Sequence, residues 1–167
     1  MPTIRVEVFD MKQRLLGVLA AAIAFVSLVL PWWVLKMSIA QQTIDVVFYP
    51  WGVSGNLSDI LGSAAELWWA YLTMALVIVG GVLELIGVLV IEKGRKTLLS
   101  ASGLLSLLSL VVFTTGLTST LSRKFPGVTI FYFGPYFLWH ISAYLSLGFW
   151  LELIASILSF VASSRYH

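Results

Sequence analysis

Gly80-Gly81-Val82-Leu83-Glu84-Leu85-Ile86 and Gly148-Phe149-Trp150-Leu151-Glu152-Leu153-Ile154 share a Leu-Glu-Leu-Ile core at a constant offset, 84 to 152. Each copy lies inside an apolar run long enough to cross a bilayer. A carboxylate is expensive there and ordinarily has a partner or a task. The two runs are the second and fourth of four. They must therefore cross in the same direction, and the chain reads as two tandem hairpins. Small residues also correspond at Gly87 and Ala155, while Arg14-Leu15-Leu16-Gly17 and Thr97-Leu98-Leu99-Ser100 match more weakly at a different offset. An internal repeat accounts for this, and so does chance likeness among leucine-rich spans.

Composition agrees with a membrane protein. Hydrophobic residues make up 59% of the 167 and charged ones 11%, against roughly a quarter charged in soluble domains. A soluble core of this size has too little volume to hide that much apolar surface. No basic run exceeds two residues, so nucleic-acid binding lacks its electrostatic footprint. The absence of cysteine removes disulfides, thiol catalysis and Cys-based zinc or iron–sulfur sites. Two histidines, His140 and His167, argue against a bis-histidine haem within one subunit. No cofactor, metal site or catalytic residue is expected.

Four spans are expected at 15–33, 66–91, 97–121 and 139–163, each meeting or approaching the ~20 residues needed to cross ~30 Å of hydrocarbon. Between them lie a segment 1–14, an outer loop 34–65, a turn 92–96, a second outer loop 122–138 and a tail 164–167. Met1–Asp10 is charged, and the run after it is too long for a signal-peptide h-region, so the first span is expected to be retained. Arg5, Lys12, Arg14, Lys93, Arg95, Lys96 and Arg165 fall on one side, and Lys36, Arg123 and Lys124 on the other. Seven against three predicts a multi-pass cell-membrane protein with both termini cytoplasmic. Trp32, Trp33, Trp51, Trp68, Trp69, Tyr71, Tyr132, Tyr136 and Trp139 then gather at the outer boundary, as an interfacial belt would.

The outer loops are strand-like. Alternation at 34–39 and a β-rich run at 43–49, stopped by Pro50, predict a hairpin turning at Gln41-Gln42. A turn-rich piece follows at Gly52–Asn56, then a short helix at 57–61 and a capping box at Ser63–Glu66. A third strand is predicted at 127–133, ended by Gly134-Pro135. The fold class expected is an all-α membrane protein: a four-helix bundle carrying a small extracellular antiparallel sheet from both outer loops.

Inside the bundle, Ser102, Ser106 and Ser109 form one small polar stripe and Ala20, Ala24 and Ser27 another, which suits close helix packing. Ser102 and Ser106 are placed to meet Glu84. With no lysine or arginine inside any span, Glu84 and Glu152 are expected to face inward and at least one to carry its proton at neutral pH. They serve either as a proton or cation site with Ser102 and Ser106, or as polar glue between helices. His140, at the outer end of the fourth span, reads as an interfacial anchor.

Four spans, cytoplasmic termini, a long β-rich first outer loop and a shorter second one resemble the claudin-like superfamily: claudins, peripheral myelin protein relatives and calcium-channel gamma subunits. Trp33 opens the first loop as a tryptophan does in claudins, and Tyr49-Pro50-Trp51-Gly52 loosely resembles their Gly-Leu-Trp segment. The loop cysteine pair of that group is absent. The resemblance implies a non-enzymatic role in adhesion, membrane assembly or as an auxiliary subunit. The contact surface expected for it comprises Trp51, Phe131, Tyr132, Phe133 and Tyr136, and the partners expected are the lipid bilayer and either further copies (a homo-oligomer) or a larger membrane complex. The alternative reading is a small proton- or cation-conducting protein using Glu84 and Glu152.

Overall fold

The computed structural model describes residues 3–39, 42–55, 67–89 and 94–164, excepting the side chains of 3–10, 12, 13 and 39. The expected short helix at 57–61 and the capping box at Ser63–Glu66 lie outside these residues. Among the described residues there are four helices, α1 (Thr3–Val29), α2 (Trp68–Leu89), α3 (Arg95–Lys124) and α4 (Leu147–Ser164), which account for most of the chain. Each packs on two neighbours in a ring running α1–α2–α3–α4. By length and composition α2, α3 and α4 are long and apolar enough to cross a membrane, and α1 adds the shorter apolar stretch Arg14–Val29. From Thr3 onward the expected tail 1–14 is the first part of α1. Pro31 ends that helix short of Trp33, because its ring fixes the backbone and removes a donor.

Small residues set how closely the ring closes. Gly17, Ala20, Ala21, Ala24 and Ser27 recur every three or four positions and are all buried on α1. A Cβ added at Gly81 would stand 2.9 Å from the Phe25 ring, and one at Gly103 3.1 Å from Phe160. Backbones approach this closely only where side chains are missing, which is how helices associate when lipid offers no hydrophobic contrast.

One end of the ring carries a five-stranded antiparallel sheet in the order β3-β2-β1-β5-β4. Its strands are β1 (Trp33–Ile39), β2 (Gln42–Tyr49), β3 (Gly52–Gly55), β4 (Tyr132–Tyr136) and β5 (Trp139–Leu145). Both of the connections expected to supply strands contribute, and the first two strands fall where alternation predicted them. The rest needs correction. Residues 127–131 are not strand: Gly127 takes φ 91 and the Val128 N–H bonds to the Phe125 carbonyl, so the chain turns there. Gly134 and Pro135 lie within β4 rather than ending it. That strand is an edge, where a missing N–H leaves no ladder bond unmade. Gly52–Gly55, expected to be a turn, is a short edge strand paired with β2.

The largest correction concerns the fourth span. Trp139–Leu145 is not helix but β5, paired along β1 from Trp33↔Leu145 to Ser38↔His140. Ile141 and Ala143 point inward and are fully buried. The alternation is present in the sequence, with His140, Ser142 and Tyr144 between the inward positions, but the stretch runs without a break into the apolar residues of α4 and so reads as the start of that helix. α4 begins only after Ser146, whose N–H bonds to the Trp32 carbonyl at 2.8 Å.

Sheet and bundle share one core. Trp32 meets Phe113 at 5.0 Å and Phe149 at 6.0 Å between ring centroids, and Trp69 meets Phe113 at 5.5 Å. Trp33 meets Phe48 edge-on, and Phe48 stacks on Trp69. Trp32, Trp33 and Trp69 are therefore a plug between sheet and helices and do not belong to the expected belt. Trp68 and Tyr71 are exposed. A smaller cluster of Val88, Leu99 and Ala162, with Leu16 against it, closes the opposite end.

Candidate functional site

Glu84 and Glu152 both face the interior, at 1% and 0% exposure. On α2 the buried positions include Thr73, Val77, Gly80, Gly81, Glu84, Gly87 and Val88, and on α4 Gly148, Phe149, Glu152, Ala155, Ser156 and Ser159. Five of these correspond one to one under the 84-to-152 offset: Gly80, Gly81, Glu84, Gly87 and Val88 with Gly148, Phe149, Glu152, Ala155 and Ser156. The matching motif thus presents the same face twice. It does not present it at the same depth. Glu84 lies sixteen residues into α2 from Trp68, and Glu152 only five residues into α4 from Leu147.

Different hydroxyls attend the two carboxyls. Glu152 Oε2 stands 2.8 Å from Ser27 Oγ on α1, while Ser106 neighbours it from α3 and its Oε1 has no hydrogen-bond partner. Glu84 has Ser102 and Ser159 as neighbours, yet neither of its oxygens reaches hydrogen-bond geometry with any group. Gly17 of α1 lies beside it: a Cβ there would stand 3.4 Å from Glu84 Oε1 and would clash with Val88 at 2.5 Å. Ser102 thus neighbours Glu84, as expected, while Ser106 neighbours Glu152. These two serines are four residues apart on α3, and Ser159 is seven from Glu152 on α4. The carboxyls therefore occupy levels roughly 6–10 Å apart along the bundle.

Ser27, Ser156 and Ser159 complete this polar track and were not singled out for it from the sequence. The signal was present: Ser156 and Ser159 follow Glu152 by four and seven residues, which is one helical face. Ser156 Oγ donates to the Gly103 carbonyl at 3.0 Å and ties α4 to α3. Arg95, also buried, is an engaged side chain at the end of α3 away from the sheet.

The aromatic residues expected as a contact surface divide. Phe131 and Phe133 are exposed, and Phe133 stacks on Tyr144. Tyr132 and Tyr136 are half-buried. Trp51 stacks on Tyr49 and donates its Nε1–H to the Leu28 carbonyl, which staples the β2–β3 turn to α1. Missing from the expected set is the tip of the β4–β5 hairpin. Phe137 and Leu138 are 88% and 81% exposed, and Phe137 holds φ 53, in the left-handed region. A side chain there costs about 1–2 kcal/mol. His140 is exposed on β5 of the sheet.

Among the described residues no three His, Cys, Asp or Glu side chains gather where they could hold a metal ion. Comparison with known protein families finds no model that matches the chain, and no curated protein matches its sequence.

Proposed function

We propose that the chain is a four-span membrane protein with cytoplasmic termini that works by assembly rather than catalysis, presenting the β4–β5 tip to a neighbouring membrane protein. The observation that carries this reading is the tip itself. Two large apolar side chains sit at the point of a two-residue hairpin loop, the first in a backbone conformation that glycine would adopt without strain. Strain retained at an exposed site fits a contact surface better than a fold requirement. Phe133 and Phe131 extend the apolar area beside it. Lys36, Asp45 and His140 are exposed on the same sheet, which fits a water-facing layer beyond the bilayer rather than one sunk in lipid. Pro135 on the edge strand opposes strand-to-strand addition, so side chains would make the contact. The layout agrees with the claudin-like resemblance.

Phe137→Gly together with Phe133→Ser separates assembly from folding. Removing the left-handed phenylalanine should leave the melting temperature unchanged or raised, while crosslinked and native-mass species shift to the monomer. Wild-type protein that is strictly monomeric in mild detergent and in native membranes, with nothing crosslinked to it, would refute the reading. Orientation has its own measurement. Single cysteines at Lys36 and Gly127 should react with an impermeant reagent added outside intact cells, and one at Gly94 should react only after permeabilisation. Labelling of Gly94 from outside would invert the topology.

A further inference from the structure

We infer that the bundle core is a proton-binding site, in which Glu84 and Glu152 each hold an exchangeable proton at their own level of the serine-lined track. Counting hydrogens leads there. Ser27 Oγ lies 2.7 Å from the Ala24 carbonyl and 2.8 Å from Glu152 Oε2, and a hydroxyl has one hydrogen to give. A carbonyl and an ionised carboxylate are both acceptors, so one of these close contacts would then lack a full hydrogen of its own. A protonated Glu152 resolves it. Its Oε2–H donates to Ser27 Oγ, and Ser27 donates onward to Ala24.

The same polarity holds at Ser159, one of the two serines beside Glu84. Ser159 donates its hydrogen to the Ala155 carbonyl at 3.0 Å, so toward Glu84 it offers only lone pairs. Facing that oxygen, an ionised Glu84 would set lone pair against lone pair, which a protonated one avoids. Both Glu84 oxygens lack a hydrogen-bond partner in a fully enclosed position, the arrangement in which a charged carboxylate is least tolerable.

Among the described residues, the charged side chains nearest these levels are Arg14, one turn before Gly17 on α1, and Arg95 on α3, and both are engaged in other interactions while no Glu84 oxygen has a hydrogen-bond partner. Arg14 is exposed on α1, and Arg95 and Lys96 open α3 at the end away from the sheet, Arg95 seven residues or about 10 Å from Ser102. Arg123 and Lys124 close α3 at the sheet end, where Lys36, Asp45 and His140 are exposed on the strands. On α4 the ionisable neighbour is Glu152 itself, as Glu84 is on α2. The site is sealed by Trp32, Phe113 and Phe149 on one side and by Val88, Leu99 and Ala162 on the other. Proton exchange therefore requires one of the seals to part. This inference rests on the core and stands apart from the assembly reading, which rests on the tip.

Infrared spectroscopy of the purified protein in lipid at neutral pH tests it directly. Solvent-exposed carboxyls are ionised there, so a protonated-acid carbonyl band that shifts in deuterium oxide reports buried acids. The band should lose about half its area in Glu84→Gln and in Glu152→Gln and vanish in the double variant. Wild-type protein with no such band overturns the inference whether or not the variants fold. So does a band that survives in the double variant, or one that sodium or potassium abolishes by saturable binding. Ser27→Ala removes the acceptor for one proton and should shift half of the band toward the frequency of a free acid. Because the folded state binds more protons than the unfolded one at neutral pH, thermal stability should fall as pH rises, and the double variant should flatten that slope. A wild-type melting temperature that rises with pH contradicts it.

Discussion

Trp32→Ala is expected to lower the unfolding free energy by about 3–5 kcal/mol, the range for removing a large aromatic from a packed core. The reason is position more than area. Trp32 is the residue through which three parts of the molecule meet. Its ring touches Phe113 of α3 and Phe149 of α4. Its backbone N–H bonds to the Phe48 carbonyl of β2 at 2.8 Å, and its carbonyl accepts from Ser146 just before α4 at the same distance. Its indole N–H bonds to the Ser27 carbonyl at 2.9 Å. Alanine keeps the backbone bonds and leaves a cavity under the sheet. Trp32→Phe fills most of that cavity and forfeits only the indole bond, so it should cost about 1 kcal/mol. Thermal or denaturant unfolding in detergent micelles measures both. Equal losses in the two variants would mean that the N–H, rather than the packing, is what holds the joint.

A second large effect is expected at Gly148. A Cβ there would stand 2.5 Å from Trp32 Cδ1, 2.8 Å from the Leu30 carbonyl oxygen and 2.9 Å from that of Pro31. Two of these neighbours are backbone and cannot rotate aside. The Gly148 N–H also donates to the Pro31 carbonyl at 2.9 Å, which docks the first turn of α4 on the end of α1. Gly148→Val should therefore cost about 3 kcal/mol or more, at or above the upper end for overpacking, and displace α4. Gly80, its counterpart in the repeated motif, is the control. A Cβ at Gly80 meets the Ser102 carbonyl oxygen and Ser106 Oγ at 3.5 Å, which is ordinary contact. Gly80→Ala should gain up to about 1 kcal/mol from helix propensity. Identical outcomes at the two glycines would show that the motif is equivalent in packing as well as in face, contrary to the differing depths of Glu84 and Glu152.

That difference shows how far the candidate site was legible. The matched Leu-Glu-Leu-Ile segments pointed both carboxyls inward, and they do face inward. Apart from Ser102 beside Glu84, their partners could not be read, because the hydroxyls at each level come from two other helices. Ser27 reaches Glu152 across 125 positions of chain. Similarly, the tryptophans near the outer boundary looked alike in sequence. Only packing separated Trp32, Trp33 and Trp69, which fill the joint between sheet and bundle, from Trp68, which does not.

The sequence by itself determined the four apolar helices, the sheet drawn from both outer connections, the first two strands and the inward face of each glutamate. These follow from local periodicity, from chain length and from the cost of a carboxylate in an apolar setting, none of which needs a partner to be known. The tertiary structure decided where the fourth helix begins, which tryptophans are core, and which serine meets which carboxyl. Trp139–Leu145 is apolar enough to continue a helix and alternates enough to be a strand. What selects the strand is the edge of β1, whose N–H and C=O groups lie about a hundred residues back in the chain and are satisfied by this pairing.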